Sequence, residues 1–201
     1  PTTTETTTTE TTTTGSTTTG STTARPTISQ TDPLALLRAA GVGAFSPSIA
    51  PFCVTPTDDN PLGLATAGAG GVSGPWPILT DASNALDNLA QSLGMAPVTL
   101  PNFADSDETA FAFVPSVTLT GTKVQVAWFN TTTLRGGFAD LTALPHAQKT
   151  LLTTLAPGLG GIRLAKVDTG AGSVLAAVYG SGYNGSRTCY FLPAVGVVEN
   201  S

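Results

Sequence analysis

The stretch that most constrains this chain is 161–198. It reads as three strands in succession, 162–167, 174–179 and 188–191, the last resuming over 195–198. Apolar, β-branched and aromatic residues fill these runs, and turn-rich joints at 168–173 and 180–187 separate them. The pattern predicts an antiparallel meander whose final strand carries Cys189. It defines a sheet and leaves the chemistry open.

A chain of 201 residues suits one ordinary domain plus a tail. The expected division is a Thr-rich low-complexity arm or stalk over 1–24 and a single α+β domain over 25–201. Charged residues make up 10% of the chain, against about 25% in typical soluble domains. There are three lysines, Lys123, Lys149 and Lys166, and no basic run. That excludes the electrostatic footprint of a nucleic-acid binder. No apolar run is long enough to span a membrane as a helix. The chain starts at Pro1, as expected of a processed protein, with no visible signal peptide.

Two readings fit the arm. Sixteen of its first 23 residues are Thr, among them Thr2, Thr3, Thr4, Thr6, Thr7, Thr8, Thr9, Thr11, Thr12, Thr13 and Thr14. With no core-forming side chains it cannot fold alone. It is either a flexible stalk carrying O-glycans on its hydroxyls, or a segment that orders by adding a strand to another chain. Thr, being β-branched, suits extended backbone. The arm points to export, and export favours a disulfide between Cys53 and Cys189 over two buried thiols. Such a bridge would tie the N-terminal half to the last strand and contribute about 4–5 kcal/mol on loop-closure grounds.

Further along, Asp32 and Pro33 predict a helix start, with Leu34, Leu37 and Ala40 buried and Gly41 as its stop. Residues 41–80 are rich in Pro and Gly and read as a long irregular segment packed on the domain through Phe52, Cys53 and Trp76. A second helix is expected over 81–93, from the spacing of Leu86, Leu89 and Leu93, and a third over 145–155. Between them, 111–120 and 122–130 read as a hairpin around Gly121. A strand over 134–141 follows, with Gly136 and Gly137 as a bulge. The expected fold is thus an antiparallel sheet with two or three short helices on one face, a long irregular Pro/Gly-rich segment and one disulfide.

No arrangement of residues specifies catalysis, so the expectation is a non-enzyme with no catalytic residues and no cofactor. His146 is the one histidine, and no G-x-S-x-G elbow is present. One histidine and two distant cysteines cannot make a zinc site. Asp105, Asp107 and Glu108 form an acidic cluster that is the one Ca²⁺ candidate, against the alternative of a solvated loop. Trp76 and Tyr183 are candidate ligand contacts, the latter at a loop tip; Trp128, Tyr179 and Tyr190 complete the pool for an aromatic platform. Asn130 and Asn184 each begin an N-glycosylation triplet.

The segments Val124-Gln125-Val126-Ala127-Trp128-Phe129-Asn130 and Thr188-Cys189-Tyr190-Phe191-Leu192-Pro193, with the Lys-poor, Ala/Gly/Thr-rich composition, resemble secreted and cell-surface proteins of unknown role from mycolic-acid-bearing actinobacteria. The resemblance covers about half the chain and carries no catalytic residues. It implies export to a lipid-rich envelope and O-mannosylation of the arm, and makes the N-glycosylation triplets irrelevant. The expectation is an extracellular or cell-surface structural protein, a pilus-like filament subunit whose arm contacts the next copy. The alternatives are a monomeric module on a glycosylated stalk that binds an envelope glycan or lipid, or a secreted hydrolase using His146 or the acidic cluster. Expected partners are copies of itself or other envelope components.

Overall fold

The computed structural model describes residues 32–76, 103–145, 149 and 161–201. The arm 1–24, the helix expected over 81–93, His146 and most of 145–155 lie outside them. In the last of these, the Lys149 N–H donates to Pro145 O at 2.9 Å, the spacing of one helical turn.

Asp32 begins the one helix whose bounds fall within the described residues, α1 (Pro33–Ala39). Its carboxylate accepts the Leu34 and Ala35 N–H groups at 3.0 and 3.3 Å, while Pro33 fills the first turn, where no N–H is needed. Leu36, Leu37 and Ala40 are buried.

The rest is strand: β1 (Gly43–Ala44), β2 (Ser48–Ala50), β3 (Ala65–Ser73), β4 (Glu108–Pro115), β5 (Thr120–Asn130), β6 (Arg135–Ala143), β7 (Arg163–Asp168), β8 (Gly172–Asn184) and β9 (Arg187–Asn200). Every pairing is antiparallel, in the order β1-β3-β4-β7-β6-β5-β8-β9, with β2 also on β3. The sheet curls until its ends nearly meet. The Phe45 N–H reaches Ala69 O on β3 at 2.8 Å. One residue later the Ser46 N–H donates to Val195 O on β9 at 3.1 Å, and Ser46 Oγ accepts the Val195 N–H at 2.8 Å. Ser48 Oγ donates to Leu192 O. Residues 45–48 thus staple β3 to β9 and make a nearly closed barrel, which protects both edges.

Alternate residues fill its interior: Phe111 and Phe113 of β4, Val124 and Val126 of β5, Val174 and Val178 of β8, Phe191 and Ala194 of β9. The Phe113 and Phe191 rings meet edge to face with centroids 5.3 Å apart. Phe45 wedges into the seam, where a side chain at Gly196 would collide with its ring. The Cys53–Cys189 disulfide, between residues 136 apart in sequence, is formed and buried. A second cluster lies outside the barrel on β3, β4 and β7, where Leu36, Leu37 and Ala40 of α1 cover Ala110, Ala112, Val114 and Leu164 together with Trp76 and Leu144.

The described residues are mostly strand, with α1 the one helix whose bounds fall among them. Three expectations are corrected. The segment 41–80, expected to be irregular, supplies three strands. β3 is built of Gly and Ala because α1 and β1 press on it: a Cβ at Gly68 would lie 2.9 Å from Pro33 C and O, and one at Gly70 would run into Gly43 O and sit 2.8 Å from Val42 Cγ1. The hairpin around Gly121 does not form, since β4 pairs with β3 and β7, and β5 with β6 and β8. Ser116 holds the end of β4 to β3, its N–H donating to Thr66 O at 2.9 Å and its Oγ accepting the Thr66 N–H at 3.1 Å, so the chain crosses over instead of turning back. Nor are the last three strands a meander. β7 pairs with β4 and β6, and β8 with β5 and β9. Asn130 organises this crossing: its Oδ1 accepts the Thr132 and Thr133 N–H groups, and its Nδ2 donates to Thr169 O at 2.9 Å and Ala171 O at 3.0 Å. One buried carboxamide thereby shapes the β5–β6 turn and fixes the β7–β8 joint.

Candidate interaction face

The outward side of β6, β5, β8 and β9 carries the features that the core does not use. The registers set Phe138, Ala127, Ala177 and Val195 side by side in one row, and Phe129, Leu175 and Val197 in the next. Phe138 is 74% exposed and Val197 58%; Phe129, Leu175 and Val195 are exposed as well. None of these seven residues is polar. Counting about 200 Å² per aromatic side chain and somewhat less per Leu or Val, the patch presents roughly 450 Å² of apolar surface. That is within the range of the largest, often functional, patch on a monomer, about 300–600 Å².

Two residues further along each strand the face turns polar and concave. A β-bulge sets Leu192 and Pro193 of β9 opposite Tyr179 alone, between the pairs Val178–Ala194 and Gly180–Phe191. Pro193 suits this place, since a bulged strand can spare its N–H. Beside the bulge lies an open groove of about 780 Å³, lined among others by Lys123 and Gln125 of β5, Asp140 of β6, Arg163 of β7, Tyr179 of β8 and Tyr190 of β9. Gln125 Nε2 donates to Asp140 Oδ1 at 2.7 Å. Lys123 and Arg163 outnumber Asp140, so the groove is a positive spot on a chain of net charge −5.

The sequence candidates are dispersed. Trp76 is 4% exposed, its indole N–H donates to Ala40 O at 3.1 Å, and its ring packs against Phe103. It belongs to the outer cluster and is no surface contact, because its bulk seals the space beside α1. Tyr183 is exposed, but it lies over Gly121 rather than in the groove. Asp105, Asp107 and Glu108 do not converge as a metal site among the described residues. Glu108 Oε2 instead accepts the Asp105 N–H at 2.9 Å and pairs with Lys166 Nζ at 3.1 Å. The Asp105 N–H, with a smaller contribution from Lys166, holds the Glu108 carboxyl below the usual carboxylate range. Asn130 is fully buried with its amide nitrogen engaged, and Asn184 Nδ2 donates to Cys53 O at 3.1 Å, so neither nitrogen is free for a glycan in the folded chain. Gly136 and Gly137 keep regular register with Phe129 and Trp128 and form no bulge; Gly137 leaves room for the Trp128 indole.

The outward row was not singled out from sequence, though a signal exists. The run Val174-Leu175-Ala176-Ala177-Val178 is apolar at every position, and a strand with both faces apolar expects cover on both sides. No protein-family model matches the chain, no curated protein matches it, and no solved structure matches its fold.

Proposed function

We propose that this protein is a non-enzymatic structural component of the cell surface or extracellular space that assembles with copies of itself. The observation that carries the reading is the exposed, uncharged face centred on Phe129, Phe138, Leu175, Val195 and Val197. A stable interface buries about 800 Å² per partner, with an apolar centre and a polar rim. The patch is of the right size for such a centre. It carries no charge that would select an oppositely charged partner, and it matches an identical face.

The Thr-rich arm extends this reading from pairs to filaments. β6 meets β7 only at Thr142–Leu164 and Ala143–Arg163. Among the described residues, the main chain over 135–141 therefore has no strand on its β7 side. An extended arm adding there as a strand would make a heterologous contact, which propagates instead of closing. The low charge and the buried disulfide, which suits an oxidising compartment, support a surface location.

Sedimentation velocity and negative-stain electron microscopy of the full chain test the proposal. The expected result is assemblies that grow with concentration and that fall back to the 20.2 kDa monomer in Leu175→Lys. Monomer throughout the wild-type concentration series removes the self-assembly reading. Deletion of 1–24 is expected to leave short oligomers without filaments; unchanged filaments would release the arm from any role.

A further inference from the structure

The groove beside the bulge lies outside the apolar rows, and it collects a set of groups with one chemistry in common. Tyr190 is 67% exposed at its rim and Tyr179 half-buried in its wall. An exposed tyrosine in a concave site offers a flat apolar face with a polar tip. Gln125 and Asp140, already joined at 2.7 Å, form a fork. The Gln125 carbonyl oxygen and the second Asp140 oxygen retain acceptor capacity for hydroxyl donors. Lys123 and Arg163 have no ion-pair partner among the described residues, and both line the same groove. A volume of about 780 Å³ is in the range of sites for ligands of several rings, about 300–1,000 Å³.

We infer that this groove binds a short segment of an acidic polysaccharide, one whose sugar rings carry carboxylates. A ring face would stack on Tyr190. Its hydroxyls would donate to the Gln125–Asp140 fork, and its carboxylate would accept from Arg163 and Lys123. A neutral glycan leaves the two cations unused, and a simple anion leaves the tyrosine and the acceptor fork unused. The combination selects a ligand that is both ring-shaped and acidic. This inference does not rest on self-assembly, because Leu175 and the apolar rows lie outside the residues that line the groove.

The test is a titration of the full chain, followed by ¹H–¹⁵N amide shifts, with tetragalacturonate, maltotetraose and inorganic phosphate as probes. Shifts confined to β5, β6, β8 and β9 with tetragalacturonate, and weak or absent with the other two, are expected. Tyr190→Phe should retain the affinity. Tyr190→Ala should weaken it about tenfold, and Arg163→Gln about tenfold, each with an otherwise unchanged spectrum. Equal binding of maltotetraose overturns the acidic class, and equal binding of phosphate reduces the groove to an anion site. No shift with any probe, or full affinity in both Tyr190→Ala and Arg163→Gln, removes the proposal. Repeating the titration in Leu175→Lys keeps its outcome separate from that of self-assembly.

Discussion

Both outer halves of the barrel carry a cluster of apolar residues, and the two clusters are treated oppositely. On β3, β4 and β7 the outward residues Ala110, Ala112, Val114 and Leu164 are covered by α1, Trp76 and Leu144. On β6, β5, β8 and β9 the outward Phe138, Phe129, Leu175 and Val197 are left in solvent. One half shows what the chain does when it completes its own core. The other half has the same chemistry without the cover. A surface built like a core but left open is most simply explained as one that another molecule completes.

The largest effect expected bears on the tie between the halves. The disulfide joins the loop after β2, on the covered side, to β9 on the open side. Cys53→Ala with Cys189→Ala should lower unfolding stability by about 4–5 kcal/mol on the chain-entropy estimate, read from denaturant midpoints in the unassembled state. Next comes the direct contrast. Leu37→Ala in the covered half should cost about 2–5 kcal/mol and leave the association constant unchanged. Leu175→Lys in the open half should change monomer stability by no more than about 0.5 kcal/mol and abolish association. A monomer destabilised by Leu175→Lys as much as by Leu37→Ala would erase the distinction.

The smallest effect belongs to Glu108 on the covered side. Its carboxyl is held below the ordinary range, chiefly by the Asp105 N–H and further by Lys166. The stability that it contributes is therefore fully present above the ordinary carboxylate pKa and is lost as pH falls through the lower folded value. Glu108→Gln should lower the plateau above the carboxylate range slightly, leave the acid end unchanged and so flatten the acid limb, in thermal melts between about pH 2 and 6.

The cap of α1 and the strands β5, β8 and β9 were legible in the sequence because each rests on local pattern, while the cysteine pair was legible from the export that the arm suggests. Asp32 and Pro33 mark a helix start wherever they occur in this order, and Val124, Val126 and Trp128 alternate as a half-buried strand must. β3 was illegible for a tertiary reason. Its Gly68, Gly70 and Gly71 resemble a loop, and only the approach of α1, β1 and the Phe45 ring makes small residues a requirement. The pairing of β4 away from β5 was hidden likewise, since Ser116 and Asn130 act on partners that are distant in sequence. Of the interaction face, the tyrosines were in the candidate pool, while the open rows required the registers. Of the two roles expected of Trp76, the structure shows the packing of the 41–80 segment, because its ring is buried beside α1 rather than exposed to a ligand.

The staple between Ser46 and Val195 spans 149 residues, and this has a consequence for how the chain is made. Strands delivered in order from the N-terminus wait for the last one before the Phe45 seam and the barrel interior are closed. Until then Phe111 and Phe113 line an unfinished trough, and the open rows of β8 are exposed beside it. Long-range pairing of this sort folds slowly, and exposed apolar strands invite premature association. If the chain assembles through its apolar face as proposed, it has reason to be kept apart from its copies until its final strand arrives.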